Sequence, residues 1–173
     1  MSSPVTRTTK SKGRFVLEAD MTNSRFFAFL LANYLHRVDR ARRKVFGSIT
    51  LAQVAELIGL SSVEPHVRDK AFRREHGNFE SVIGIEGQRA SNATSISSAL
   101  EMLRETVRRN IKQLLKLGYI VKKERSAYVL KPGAIQAPEY QAAIADAMRE
   151  TFIFMNEAID QGFIRWEPRQ ERR

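Results

Sequence analysis

At 173 residues and 19.8 kDa the chain suffices for one compact domain or two very small ones, and 43% hydrophobic with 28% charged residues exclude a wholly disordered or fibrous chain. It has no cysteine, which excludes disulfides, thiolate metal sites and thiol nucleophiles, and its longest apolar run, Phe26 to Ala32, has seven residues where a membrane helix needs about 20. Lys and Arg outnumber Asp and Glu by 29 to 19, a formal +10 with a sequence pI near 10.3, which points to a polyanionic partner, nucleic acid ahead of an anionic membrane surface. No apolar stretch follows Met1 that would serve as a signal peptide, so a soluble cytoplasmic protein is expected.

Residues 1–14 carry Arg7, Lys10, Lys12 and Arg14 and no acid, the pattern of a flexible basic tail. From Asn23 to Arg40, Phe26, Phe27, Leu30, Leu31, Tyr34, Leu35 and Val38 recur at spacings of three and four, predicting an amphipathic helix capped by Asn23 or Ser24. Residues 50–59 read as a short helix capped by Thr50 and stopped by Gly59, and Pro65 as the start of another running to His76. A Gly-, Ser- and Asn-rich stretch follows, with a short strand expected at Ser81 to Ile85. Asn92 to Leu100 predicts a short helix, Glu101 to Leu103 a tight turn, and Arg104 to Leu117 a longer helix ended by Gly118. Alternation at Tyr119 to Lys123 and Ala127 to Lys131 predicts a hairpin. Glu139 to Gln161 predicts a last helix with Ile144, Met148, Phe152, Met155 and Ile159 as its apolar stripe.

Helix, tight turn, helix and hairpin in that order predict a mainly α protein with a small β-hairpin, a winged helix-turn-helix with helical additions at both ends. Its expected extent is residues 15–135, with a helical insertion at about 48–90, and residues 136–173 supply a C-terminal helix for packing or dimerisation and a basic tail. At about 100° per residue, Leu103, Val107, Ile111 and Leu114 fall in one narrow arc, while Glu105, Arg108, Arg109, Lys112, Gln113 and Lys116 lie opposite. Residues 101–125 hold eight basic and three acidic side chains, a net +5, half of the chain's excess charge.

Such a helix suits the major groove of double-stranded DNA. Its first turns would present Glu105, Thr106 and Arg109 to base edges, joined by Arg104 and Gln113, because Arg grips guanine in a fork, Glu accepts from cytosine and Thr meets a thymine methyl. Arg108, Lys112 and Lys116 flank that line and suit phosphates, and Lys122, Lys123 and Arg125 at the hairpin would reach the backbone or minor groove. The competing reading is a solvated face with internal pairs, Glu101 to Arg104 and Glu105 to Arg109.

The run Arg104-Glu105-Thr106-Val107-Arg108-Arg109-Asn110-Ile111-Lys112-Gln113-Leu114-Leu115-Lys116-Leu117-Gly118-Tyr119-Ile120 resembles the recognition helix and first wing strand of bacterial winged-helix regulators of the GntR and MarR types. In those families a Thr-Val-Arg core precedes a Leu-x-x-x-Gly-x-Ile ending. The resemblance covers about 40 residues and implies DNA contact by Arg104, Thr106, Arg108 and Arg109 and a role in transcriptional regulation. It departs from the pattern at Glu101, where such turns often carry glycine for a positive φ, so either the turn is built differently or the motif is partly degenerate. No separate ligand-sensing domain of the usual GntR kind is expected from these residues.

A weaker helix-turn-helix spacing, Ala55, Gly59, Leu60 and Val67, lies within Leu51 to Arg68. A plain helical hairpin accounts for it; if it is real, the chain resembles plasmid or phage replication initiators with two such units. A winged helix serving only as a protein-interaction module is a further alternative. His36, His66 and His76 are dispersed, no nucleophile has a paired base and no Gly-rich phosphate loop is present, so no metal, cofactor or catalysis is expected. The last helix holds five acids and one Arg over residues 139–160 and should face away from DNA. Its breadth of apolar residues, Phe152 to Met155, predicts a homodimer interface shared with the aromatic helix at 24–40, against the alternative that it covers the domain's own core. A small-molecule effector is compatible with the sequence, but nothing in it points to one.

Overall fold

The computed structural model describes residues 13–18 and 24–168. They form a mainly helical chain with two small antiparallel sheets, and it divides into two compact units, residues 37–148 and the terminal segments before and after them. Helices α1 (Ser24–Phe46) and α6 (Pro138–Asp160) run through both. No single helix among the described residues is long and apolar enough to cross a membrane.

In the central unit the core is organised around α2 (Ile49–Val63), whose Leu51, Ala52, Val54, Ala55 and Ile58 are buried along one broad face of the helix. That face packs in one core with Ile96, Val107, Ile111, Leu114, Ile120 and Phe46, while Leu60 on the other side is exposed. The boundaries of α2 differ from the expected 50–59. Ser48 caps it, its hydroxyl accepting from Leu51 N–H at 3.1 Å, and Gly59 lies inside the helix, where a Cβ would stand 2.9 Å from Leu130 Cδ1. The glycine serves a close approach to a strand, not a stop. Helix α1 likewise runs past Arg40 to Phe46, because the terminating glycine is Gly47 at φ 78°.

The segment after α2 is not one helix from Pro65. A single 3-10 turn spans Glu64–His66, and Asp69 starts a new helix, α3 (Lys70–Glu75), by accepting from Ala71 and Phe72 N–H. None of α3's residues is buried, so it lacks the anchors that a second helix-turn-helix or a core-supporting hairpin would need. The strand expected at 81–85 is absent. Gln88 pins this loop instead, its amide donating to the carbonyls of Ile83 (3.2 Å) and Leu130 (3.1 Å).

The three-stranded sheet has the order β2-β4-β3, from β2 (Ser91–Asn92), β3 (Ile120–Glu124) and β4 (Ala127–Leu130). Asn92 closes β2 and caps α4 (Ala93–Leu100) by a reciprocal bond set with Ser95. Helix α5 (Arg104–Leu117) follows with the predicted limits, ended by Gly118 at φ 75°. Val107, Ile111 and Leu114 are buried as their arc requires. Leu103 is not: it is the residue before the first helical turn, off the helical register, and is 79% exposed.

The terminal unit contains a ribbon invisible to the sequence reading. Strand β1 (Gly13–Leu17) pairs with β5 (Ile164–Pro168) from Gly13↔Pro168 to Leu17↔Ile164, so Arg14 and the segment after α6 are strand rather than tail. Arg14 pairs with Glu167 at 3.0 Å, and Phe15 meets Trp166 edge-on at 5.1 Å. Residues 1–12 and 169–173 of the expected tails, and the expected cap Asn23, lie outside the described residues. In the same unit Phe27, Tyr34, Phe154 and Phe163 interlock, with Tyr34 stacked on Phe154 at 4.8 Å.

The turn between α4 and α5 is held with Glu101 at φ 52°, ψ 34°, the only non-glycine residue at positive φ among those described. The turn is therefore built in the glycine conformation with a side chain present. Left-handed backbone costs an L-residue about 1–2 kcal/mol, partly offset by the larger entropy that glycine loses on folding. Glu101→Gly is expected to raise unfolding stability by about 0.5–1 kcal/mol in urea titration; a loss of stability would contradict the strain assigned to this turn.

Candidate nucleic-acid interface

The exposed face of α5 is set by what its other face buries. With Val107, Asn110, Ile111 and Leu114 turned into the unit, Arg104, Glu105, Arg108, Arg109, Lys112, Gln113 and Lys116 are all exposed, and Thr106 is half-buried. Asn110 donates to the Thr106 carbonyl at 3.0 Å, which satisfies a buried amide without drawing on the outer face.

Arg104, Arg108, Lys112 and Lys116 stand four residues apart in one row along α5. Like charges at that spacing destabilise a helix by about 0.2–0.5 kcal/mol per pair, so the row works against the isolated fold. The first three line a cleft of about 420 Å3, whose other walls are Asn92, Ala93 and Thr94 at the start of α4 and Ser126 and Tyr128 of the hairpin. The amino end of α4 brings the positive end of a helix dipole to the same cleft. Three cations, a helix start and three hydroxyl-bearing side chains, Thr94, Ser126 and Tyr128, give the cleft the chemistry of an anion cradle.

The expected internal ion pairs do not form as predicted. Glu105 pairs with Arg108 at 3.7 Å rather than with Arg109, and Glu101, held in the left-handed turn outside the helix, does not pair with Arg104. Among the described residues Arg104, Arg109, Lys112, Lys116, Lys122 and Arg125 have no carboxylate partner. The competing picture of a self-neutralised face therefore accounts for one pair only.

The hairpin divides its three candidate cations. Lys122 and Arg125 are exposed, beside a bulge between Lys122 and Glu124. Lys123 is half-buried and donates to the carbonyls of Glu86 (3.2 Å) and Gln88 (2.8 Å), so its ammonium ties the 77–90 loop to the hairpin and is withdrawn from the outer face. Strand alternation explains the split, since adjacent residues point to opposite faces.

Sequence reasoning missed Leu103, Asn92, Thr94, Ser126 and Tyr128. Leucine at a helix cap, where Ser, Thr, Asp or Asn is favoured, was the available signal for the first. The others are brought to α5 by the pairing of β2 with β4, which no local pattern encodes. Elsewhere, His66 stacks on Phe72 at 4.7 Å and His76 Nδ1 shares a 2.7 Å hydrogen bond with the Ser81 hydroxyl. Among the described residues no group of three His, Asp or Glu is placed to hold a metal ion. In comparison with known proteins, no family model, no curated protein and no solved structure matches this chain.

Proposed function

We propose that the protein is a sequence-specific double-stranded DNA-binding regulator of transcription, acting in the cytoplasm, and that its central unit is a winged helix-turn-helix. The observation that carries this reading is the cleft in which Arg104, Arg108 and Lys112 of α5 meet the start of α4 and the hairpin. The order α2, β2, α4, α5, β3, β4, with α3 inserted between α2 and β2, and the sheet order β2-β4-β3 support it, because α4 and α5 then form the helix-turn-helix and β3–β4 the wing. In this reading α5 enters the major groove, Arg109, Glu105, Thr106 and Gln113 reach base edges, and Leu103 offers an apolar contact to a thymine methyl. Arg104, Arg108, Lys112, Lys116, Lys122 and Arg125 take phosphates.

The terminal unit supports a homodimer. Only Ala158 and Phe163 are buried among its described residues, while Phe26, Phe29 (64% exposed), Leu35, Phe152 (66% exposed) and Trp166 face outward. Of the stripe expected on α6, Phe152 and Ile159 belong to this exposed set while Met155 is half-buried, and Phe154 and Ala158, on another side of the helix, do the packing within the unit. The ten large apolar side chains left exposed present on the order of 1,000 Å2 per chain. Two copies covering that surface reach roughly the 2,000 Å2 at which obligate homodimers begin, and a two-fold dimer implies a palindromic site.

Two outcomes follow. Selection of bound duplexes from a random library is expected to yield a palindromic preference, and Arg109→Ala to cost about 1–3 kcal/mol and relax one position of each half-site, whereas Lys112→Ala should weaken all duplexes alike; unchanged affinity and selectivity in Arg109→Ala would contradict the assignment. Light scattering at about 10 µM should find a dimer that Phe152→Asp converts to a monomer of unchanged helical content, and a monomeric wild type would contradict the dimer.

A further inference from the structure

The start of α5 is built unlike those of α2, α3 and α4. These three helices begin on Ser48, Asp69 and Asn92, and each of those side chains accepts a backbone N–H of the first turn. Helix α5 begins on Leu103, whose side chain makes no such bond, so the helix forgoes the stabilisation of a polar cap. Nor does Leu103 pack. At 79% exposure it is the most exposed large apolar side chain among the described residues.

The backbone that carries this side chain is held on both sides. Before it, the Met102 N–H donates to the Ser97 carbonyl at 3.1 Å, and the Ser97 hydroxyl donates to the Met102 carbonyl at 2.6 Å. After it, the Leu103 carbonyl accepts the Val107 N–H at 3.1 Å, and Val107 is fully buried. Leu103 is thus presented on a pre-organised backbone, and contact with a partner orders little more of the chain. Arg104, on the wall of the basic cleft, follows it directly, and Thr106 stands three residues on.

We propose that Leu103 reads the C5 methyl group of a pyrimidine in the major groove, so that the protein distinguishes thymine and 5-methylcytosine from uracil and cytosine and responds to cytosine methylation. The inference rests on the duplex-binding reading, which puts the first turn of α5 against base edges. A leucine side chain has neither donor nor acceptor, so it reads no hydrogen-bonding pattern. The apolar group that a base edge offers in the major groove is the C5 methyl of thymine. 5-Methylcytosine carries the same methyl at the same ring position, whereas beside cytosine or uracil the leucine gains no such contact.

A polar residue at position 103 would serve the helix better and a methyl group worse. Apolar and cationic side chains adjoin here, Leu103 beside Arg104, and a base edge bordered by phosphates calls for that arrangement. The missing cap also gives the inference a readout that involves no DNA. A side chain kept for contact and not for folding is one whose replacement by a capping residue stabilises the chain.

The test is fluorescence anisotropy of the full-length chain on a duplex obtained by selection. Thymine, uracil, 5-methylcytosine and cytosine, each with its complement, are placed in turn at every pyrimidine of a half-site. At one position thymine is expected to bind about fourfold tighter than uracil, and 5-methylcytosine about fourfold tighter than cytosine, the factor for burying one methyl group. In Leu103→Ala both ratios should fall to about 1. Leu103→Ser should lose both ratios and, by supplying the cap, melt a few degrees higher by circular dichroism. Ratios near 1 at every position of the wild type, ratios that persist in Leu103→Ala, or a lower melting temperature in Leu103→Ser would each overturn the inference. Duplex binding without methyl dependence overturns it and leaves the duplex reading standing, whereas absence of binding to any duplex overturns both.

Discussion

The burial of Val107, Ile111 and Leu114 against Leu51, Val54 and Ile58 of α2 fixes the rotation of α5 about its own axis. Each such side chain contributes about 1.5–3 kcal/mol on full burial. The repulsions within the row Arg104, Arg108, Lys112 and Lys116 cost only a few tenths of a kcal/mol per pair. The apolar contacts win by a wide margin, so the helix tolerates a like-charged outer face that contributes nothing to its own stability. Charge that the fold carries at a cost, collected where α4 and a hairpin complete a cleft, is the physical basis for proposing a polyanionic partner.

The two units divide the work by what they bury. The central unit encloses a conventional core and spends its charged residues outward, apart from Lys123, which staples a loop, and Arg42, which is tied to Asp39 and Glu56. The terminal unit does the opposite: its aromatic residues outnumber what its own packing consumes, and the ion pairs Arg14 with Glu167 and Arg165 with Glu18 at 2.7 Å lie along the β1–β5 ribbon. A segment with little core of its own gains most from association, which is why dimerisation is proposed there rather than at the basic face.

The sequence was most legible where local chemistry decides. The limits of α5 follow from its apolar arc and from Gly118, and the hairpin from its alternation and turn. It was least legible where distant segments meet. The β1–β5 ribbon joins residues at opposite ends of the chain, and neither strand carries a clean period-two pattern. Gly59 reads as a helix stop until strand β4 is placed beside it, and Lys123 reads as one more basic side chain until the 77–90 loop presents two carbonyls to it. At the candidate site, the cations of α5 were read from the helical wheel, while Asn92, Thr94, Ser126 and Tyr128 needed the pairing of β2 with β4.

The central claim is that the outer face of α5 and the hairpin tip engage duplex phosphates. The salt dependence of affinity for a duplex of about 20 base pairs measures this directly, because each phosphate contact releases counterions in proportion. The six cations proposed to take phosphates, Arg104, Arg108, Lys112, Lys116, Lys122 and Arg125, predict that the logarithm of the association constant falls against the logarithm of salt concentration with a slope of roughly −5 per bound chain. A slope near zero, or no duplex binding at about 100 mM salt, would contradict the account.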